Sequence, residues 1–562
     1  MALLSLFDVL CPIVRNLHPY CGDWQDAVGG VYEATPGLVG GSRRAIAHKH
    51  LCRAIPAVYP RPMPVEPTSI VTTFCEAGRR VLAVGSEAVT SSFPPKLSAY
   101  RDSDIGTLFE VLVHRASVEP LNLFATAIFF LAVLHTFCAP LFLRWAKARE
   151  EREHLAWLET QDHDSGREAP LNFLTVVLHY LGEIEAVFGL WAIPLIGALS
   201  VAKGWGETKA YLESSIHFTE AVFVVVVMAI AGTQPILYLA ERTLASGARA
   251  LGGSPAAWWA TILIVGPILG SFITEPAAMT ICALLLGQHF YKYKPSSRLA
   301  YATVGLLFSN ISVGGLLTHF AAPPVVMVAS RWGWDSHFMF TTFGWKAFGA
   351  VCFSTTAYLY LFRREFKNIS RRVSPFEAAN PVSEKAAPVA VIIGNIAFLA
   401  WTVLNAQSSR LVIGGFLFFL AFVDATRHFQ RAVSLRMPLL VGFFLAGLVI
   451  HGSFQSWWIE PMLVRLGDAS LLISSIVLSA FNDNAAITYL ASLVPYFSDD
   501  SKYLVIAGAV SAGGVTIVAN APNPAGNALL SRYFDGGIAQ AMLLVAALFP
   551  LVVNLMFFIC FR

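Results

Sequence analysis

The feature that most constrains this chain is a train of long apolar runs that begins at residue 121 and continues to residue 560. A run of about 20 apolar residues can cross the roughly 30 Å hydrocarbon core of a bilayer as a helix. The runs fall at 121–143, 171–200, 216–240, 256–291, 299–330 and 337–361, and then at 387–405, 411–422, 437–450, 469–495, 503–530 and 538–560. Those at 411–422 and 437–450 are short and read as tilted or partly interfacial. The expected fold class is an all-α polytopic membrane protein with the lipid bilayer as its surroundings. Composition excludes the main alternative. Of 562 residues, 56% are hydrophobic and only 13% charged, against roughly a quarter charged in soluble domains. A soluble domain so built would lack the polar residues to cover its surface. The net charge of +3 is not the basic excess of a nucleic-acid binder. The 8 cysteines form no CxxC or other metal-ligand spacing, so neither a zinc site nor a disulfide framework is read, and no cofactor is expected.

Residues 1 to about 110 differ in kind, with scattered Pro, Gly, Arg and Cys and no long apolar run. Two readings stay open for them: a poorly ordered extension, or a start assigned too far upstream. The connections 144–170 and 363–386 are rich in Arg and Lys, which places both on the cytoplasmic side. An even number of crossings must separate them, yet five apolar runs lie between. The run 256–291 is the suspect. As one straight helix its 36 residues would reach about 54 Å, and Thr274-Glu275-Pro276 interrupts its middle. Pro276 removes a backbone donor and disfavours helix at Glu275. A helix followed by a re-entrant hairpin is expected, and irregular backbone at that depth must be buried in protein or line a cavity.

An internal repeat supports this. Ile273-Thr274-Glu275-Pro276-Ala277-Ala278-Met279-Thr280 aligns with Phe481-Asn482-Asp483-Asn484-Ala485-Ala486-Ile487-Thr488 at an offset of 208 residues. Acid matches acid, Ala-Ala matches Ala-Ala, and Thr280 matches Thr488. Downstream, Gly314-Gly315 precedes Pro323 by the same nine positions by which Gly513-Gly514 precedes Pro522. Paired Gly followed by Pro suits a helix broken at mid-membrane, whose freed termini and carbonyls line an ion or substrate site in transporters built of two inverted halves. Asn520, Asn523 and Asn527 surround the second break, and Ser309, Asn310, Ser312, Thr318 and His319 the first. Such oxygen-rich, sulfur-poor surroundings suit a hard cation and also an oxyanion.

Ionisable residues inside spans are costly and so are candidates for function. Glu275 and Asp483 lead because they occupy matching positions of the repeat, and Asn482 and Asn484 flank the latter. A carboxyl group removed from water holds a proton or a metal cation, but not both well, which is the minimum a cation/proton exchanger needs. A buried acid paired for structure is the alternative at each position. Glu183 and Glu185, two apart on one expected helix, cannot share a face, and either can serve an ion path. Glu220 reads as interfacial or paired, His319 as a satisfied polar histidine or a titrating one, and Lys346 as a counter-ion or a snorkelling base.

Gly270–Ala278, Ser309–Gly315, Asn482–Ala486 and Ala519–Pro524 together resemble the putative Na+/H+ antiporter family, which is similar to a wider ion transporter superfamily with arsenite, citrate and dicarboxylate permeases. The resemblance covers roughly 118–560. It implies two inverted repeats, each with a re-entrant hairpin and a discontinuous helix, and commonly a homodimer. By matching, Glu275 and Asp483 fall on hairpins, and 314–324 and 513–526 on broken helices. The chain divides accordingly into an extension (1–115), a first transport repeat (116–362), a cytoplasmic linker (363–386) and a second repeat (387–562). The paired Ser-Asn-Thr motifs of dicarboxylate carriers are lacking, and acids on both hairpins favour Na+ and H+ as the transported ions, with the bacterial inner membrane as the expected location. An anion or organic-acid carrier on the same scaffold is the alternative. No HExxH, GxGD or GxSG lies in a span, no TVGYG filter is present and no P-loop, so an intramembrane enzyme, a channel and a nucleotide-driven pump are set aside.

Overall fold

The computed structural model describes residues 93–159, 171–372 and 387–562, and within them every regular element is helical. The first part comprises α1 (Leu108–Val118), α2 (Leu121–Glu159), α3 (Phe173–Leu181), α4 (Val187–Ala210), α5 (Thr219–Ala231), α6 (Gln234–Ala250), α7 (Pro255–Ile273), α8 (Glu275–His289), α9 (Ser297–Gly314), α10 (Pro323–Trp332), α11 (Trp345–Leu361) and α12 (Arg363–Arg372). The second comprises α13 (Val389–Leu404), α14 (Ser409–Ala425), α15 (Arg436–Gly452), α16 (Ser456–Leu463), α17 (Asp468–Phe481), α18 (Asn484–Ala491), α19 (Asp499–Ala512), α20 (Asn523–Leu530) and α21 (Gln540–Cys560).

Among the described residues five helical stretches are long and apolar enough to cross a membrane: Leu121–Trp157, Ile184–Ser215, Pro255–Ile273, Ser297–Leu317 and Gln540–Cys560. The pairs α5–α6 and α15–α16 bring the number to seven if each is one span, bent by 66° and 81° respectively. The surface fits a hydrocarbon surround. Phe130, Leu134, Val201, Leu404, Phe418 and Val552 are all exposed large apolar side chains, a pattern that water-facing monomers avoid.

Both parts run through the same order of shapes: a bent pair, two helices meeting at an acid, a helix that stops at Gly-Gly and restarts after a Pro, and a long final helix. In the first part these are α5–α6, α7–α8, α9–α10 and α11; in the second, α15–α16, α17–α18, α19–α20 and α21. The helices α7 and α8 form an antiparallel hairpin. Gly270 faces Ala278 and Gly266 faces Cys282 so closely that no side chain fits at Gly266, and at the far end Trp258 stacks on His289 at 3.8 Å.

Several sequence expectations change in detail. The run 256–291 is this two-helix hairpin with one break; no separate helix precedes it, because α7 itself forms one arm and already buries Trp258, Trp259, Ile262 and Leu263. The run 171–200 is not one helix. It breaks at Gly182, where Glu183 is extended and a 3-10 turn spans Ile184–Ala186, so the two-apart helical geometry expected of Glu183 and Glu185 does not arise. Helix α2 continues past residue 143 to Glu159; 39 residues reach about 58 Å, so its charged end projects beyond the apolar core. The segment from residue 93 to α1 falls inside the expected extension, yet Tyr100 and Arg115 are buried against the rest. The remainder of that extension, 1–92, and the linker residues 373–386 lie outside the described residues.

Candidate functional site

The site is built where the tip of the α7–α8 hairpin and the junction of α17 with α18 meet the two helix breaks. At the first tip α7 ends on Thr274, whose φ of 71° is a conformation that a β-branched residue adopts only at a cost. Pro276 then starts α8 in the first-turn position where proline is tolerated. This reversal drives the Glu275 side chain inward, and the residue is 0% exposed. At the α17–α18 junction Asp483 caps α18, its Oδ1 accepting the Ala485 N–H at 2.8 Å, while Asn482 Oδ1 accepts the Asp483 N–H at 2.9 Å. The two acids that the sequence pairs thus sit at helix starts of different local chemistry.

The first break is held to the first hairpin. The Ser271 hydroxyl donates to the Gly314 carbonyl at 2.7 Å and accepts the Leu317 N–H at 3.0 Å, and Thr318 Oγ1 donates to the Ser271 carbonyl at 2.7 Å. The Gly314 carbonyl and the Leu317 N–H at the break are thereby satisfied, as burial requires. Gly315 lies against Glu275: a Cβ there would come 2.7 Å from Glu275 Oε1. The second break is closed internally by Asn523, whose Nδ2 donates to the Gly513 and Thr516 carbonyls at 2.7 and 2.9 Å. The two breaks also touch. Ser312 Oγ donates to the Val510 carbonyl at 2.7 Å, and Cβ atoms on Gly513 and Gly514 would strike Ser312 Oγ and the Ser309 backbone.

The halves then exchange partners. Helix α8 packs on α20, and α18 packs on α10. Asn520 of the second break donates from Nδ2 to Glu275 Oε2 at 3.0 Å. In return Asn484 Nδ2 reaches Ser312 Oγ at 3.4 Å, and Thr488 Oγ1 donates to the Pro324 carbonyl at 2.8 Å. Several oxygens in this cluster have no partner among the described residues: Glu275 Oε1, Asn484 Oδ1, Asn520 Oδ1 and Asn523 Oδ1. A buried unpaired oxygen is costly, and neutral or anionic oxygens are the donors a hard cation takes. No group of three or more His, Cys, Asp or Glu among the described residues forms a metal centre.

Asp483, Asn520 and Glu185 line one cavity of about 20 Å3 together with Ile184, Val441 and Phe444, room for a single water-sized occupant. Glu185 is 6% exposed and its Oε1 has no partner among the described residues. Glu183 is set apart, paired with Arg436. Asn310 is also apart: it donates to the Leu263 carbonyl and Thr355 Oγ1 at 2.8 and 3.1 Å, bracing α9 against α7 and α11. Thr280 donates within its own helix to Pro276, whereas its counterpart Thr488 donates both within its helix to Ala485 and across to Pro324. Pro323 and Pro522 stand where helix resumes after each break. Lys346 donates to Tyr503 at 3.0 Å and His319 meets Ser336 at 2.8 Å, both outside the cluster. Sequence reasoning passed over Ser271 as a brace and missed Asn554, which donates to Ser309 Oγ at 3.0 Å; a lone Asn in the otherwise apolar α21 is the signal for the latter.

Membrane-length helices broken around buried acids and amides define a multi-pass membrane protein of the ion-transporting class. A family model described as "Putative Na+/H+ antiporter" matches residues 120–561, and the chain belongs to that family. Membership supports cation/proton exchange in general, with ions carried across the bilayer. Among curated proteins none matches the chain.

Proposed function

We propose that this protein exchanges Na+, or another monovalent cation, for H+, and that Glu275 and Asp483 carry the exchanged ions. One observation carries the reading: Glu275, wholly buried on the first hairpin, is held by Asn520 of the opposite break while its second oxygen and the Asn520 carbonyl oxygen are unpaired. An acid so placed can be neutralised by a proton or by a cation that also draws on the amide oxygens. The two loads compete for the same oxygens, and that competition couples their fluxes. Asp483 and Glu185 on the small cavity provide the second protonatable surface.

The same reading takes 116–362 and 387–562 as inverted repeats and both hairpins as re-entrant. Helix order supports it. Between the two basic linkers, α3–α4, α5–α6, α9–α10 and α11 make four crossings once the α7–α8 hairpin enters and leaves on one side, which satisfies the parity required by the positive-inside rule. Three further crossings, α13, α14 and α15–α16, then bring α17–α18 in from the opposite side. The two hairpins approach each other from opposite faces, as inverted repeats demand.

Everted vesicles bearing the protein and a pH-sensitive dye test this directly. Addition of Na+, Li+ or K+ to acidified vesicles is expected to restore dye fluorescence for at least one ion, and Glu275→Gln and Asp483→Asn to abolish the response. No response to any of the three ions across pH would overturn the proposal.

A further inference from the structure

A larger cavity, of about 310 Å3, contains neither Glu275 nor Asp483. Glu220 of α5, His319 of the first break, Ser330 and Arg331 of α10, and Tyr489 of α18 line it. Of these lining residues Ser330 and Arg331 are exposed. Glu220 Oε1 accepts the Ser330 hydroxyl at 2.8 Å, and no ion pair within 4.0 Å neutralises this carboxylate among the described residues. The cation nearest in sequence to its partner Ser330 is turned elsewhere. Arg331 lies over the Tyr489 ring, 5.1 Å from its centroid, and donates to Ser492 Oγ at 3.4 Å. His319 is engaged through Nδ1 by Ser336.

A half-enclosed carboxylate with a hydroxyl at hand and its potential counter-ion tethered to an aromatic face is a place where a mobile cation lowers the energy. The ligands offered are oxygens, the preference of a hard monovalent ion. We infer that Glu220 is a second cation-binding station, separate from the hairpin acids, that takes up a monovalent cation in the larger cavity before it reaches them. The route rests on the exchange reading; the binding does not. Arg331, held on Tyr489 and Ser492, keeps Glu220 free for the ion.

Equilibrium binding of 22Na+ to the full-length, detergent-purified protein is the test, with the sided KM for Na+ measured in right-side-out and everted vesicles. Wild type is expected to bind in two classes. Glu220→Gln should lose one class, while Glu220→Asp retains it, and Glu275→Gln should lose the other. In vesicles Glu220→Gln should raise KM roughly tenfold or more on one face only, with kcat nearly unchanged. Unaltered 22Na+ binding by a monodisperse Glu220→Gln protein overturns the station even if exchange is vigorous. Loss of one binding class in a protein that exchanges no ions upholds the station and removes the exchange reading instead.

Discussion

Asn520 Nδ2 and Glu275 Oε2 are joined across 3.0 Å, though 245 residues separate them in the chain. An amide from the second break therefore fixes the carboxylate of the first hairpin. A hydrogen bond to a charged group contributes about 1.5–3 kcal/mol, so Asn520→Ala is expected to weaken cation binding roughly ten- to hundredfold. Glu275→Gln keeps shape and hydrogen bonding and should remove exchange altogether. Isothermal titration with Na+ and the vesicle assay measure the two effects.

The capping by Asp483 and its proposed part in exchange can be separated by substitution. Its Oδ1 caps α18, and Asn caps as well as Asp, whereas Ala costs about 1 kcal/mol. Asp483→Asn is expected to keep the thermal stability of wild type and lose exchange. Asp483→Ala should lose both, with a lower midpoint in a fluorescence thermal-shift measurement.

The glycines of the two breaks differ in what a methyl group would meet. At Gly315 it meets the Glu275 side chain at 2.7 Å; at Gly514 it meets the Ser309 backbone at 2.4 Å. A side chain can yield and a helix backbone cannot. Gly315→Ala should leave a folded protein whose apparent cation affinity is impaired through the displaced Glu275. Gly514→Ala should destabilise the whole assembly by about 1–3 kcal/mol or more, seen as a lower melting temperature and poorer recovery from detergent.

Thr274 carries backbone strain of about 1–3 kcal/mol at its φ of 71°. Thr274→Gly relieves it, and the expected result is a higher melting temperature together with a looser hairpin tip. If Glu275 depends on that strained turn for its aim, the gain in stability comes with slower exchange, and both are read on one variant.

Arg115 is buried between Asp102 and Glu460, with a 2.9 Å contact to the latter and a further bond from Nη1 to the Trp457 carbonyl. Removing one partner of a buried charge cluster costs about 3–5 kcal/mol, so Arg115→Met should lower thermal stability markedly. Burial opposes the Asp102 charge, but the hydrogen bond and charge of Arg115 outweigh it and hold the carboxyl below its ordinary value. A depressed carboxyl contributes stability above the unfolded-state value, about pH 4, and loses it as pH falls through the folded one. Melting temperature followed from pH 6 to pH 3 should drop more for wild type than for Asp102→Asn.

Much of the plan was legible because lipid writes its demands in long apolar runs, and because a broken helix needs Gly and Pro whatever it binds. Thr274-Glu275-Pro276 announced the break between α7 and α8, and its match at Asn482-Asp483-Asn484 the break between α17 and α18. Partner choice was not legible. Nothing local to Asn310 and Asn520 says that the first braces Leu263 while the second grasps Glu275; that depends on how the helices are arranged in space. The break at Gly182–Ala186 was hidden because an apolar run of 30 residues reads as one span when its interruption carries only Gly and two acids.

The exchange of partners between α8–α20 and α10–α18 has a consequence for descent. Gly526 of α20 sits where a methyl group would strike Met279 of α8 at 2.6 Å, and Thr488 of α18 leans on Pro324 of α10. Neither half of the chain contains the whole of the proposed ion site. The second half holds the Glu275 carboxylate through Asn520, and the first receives the Asn484 and Thr488 side chains at Ser312 and Pro324, so the two cannot drift independently. If the two halves are the inverted repeats proposed above, an ancestor of one half needed a second, oppositely inserted copy of itself, and fragments severed between residues 372 and 387 should regain activity only when produced together in the same membrane.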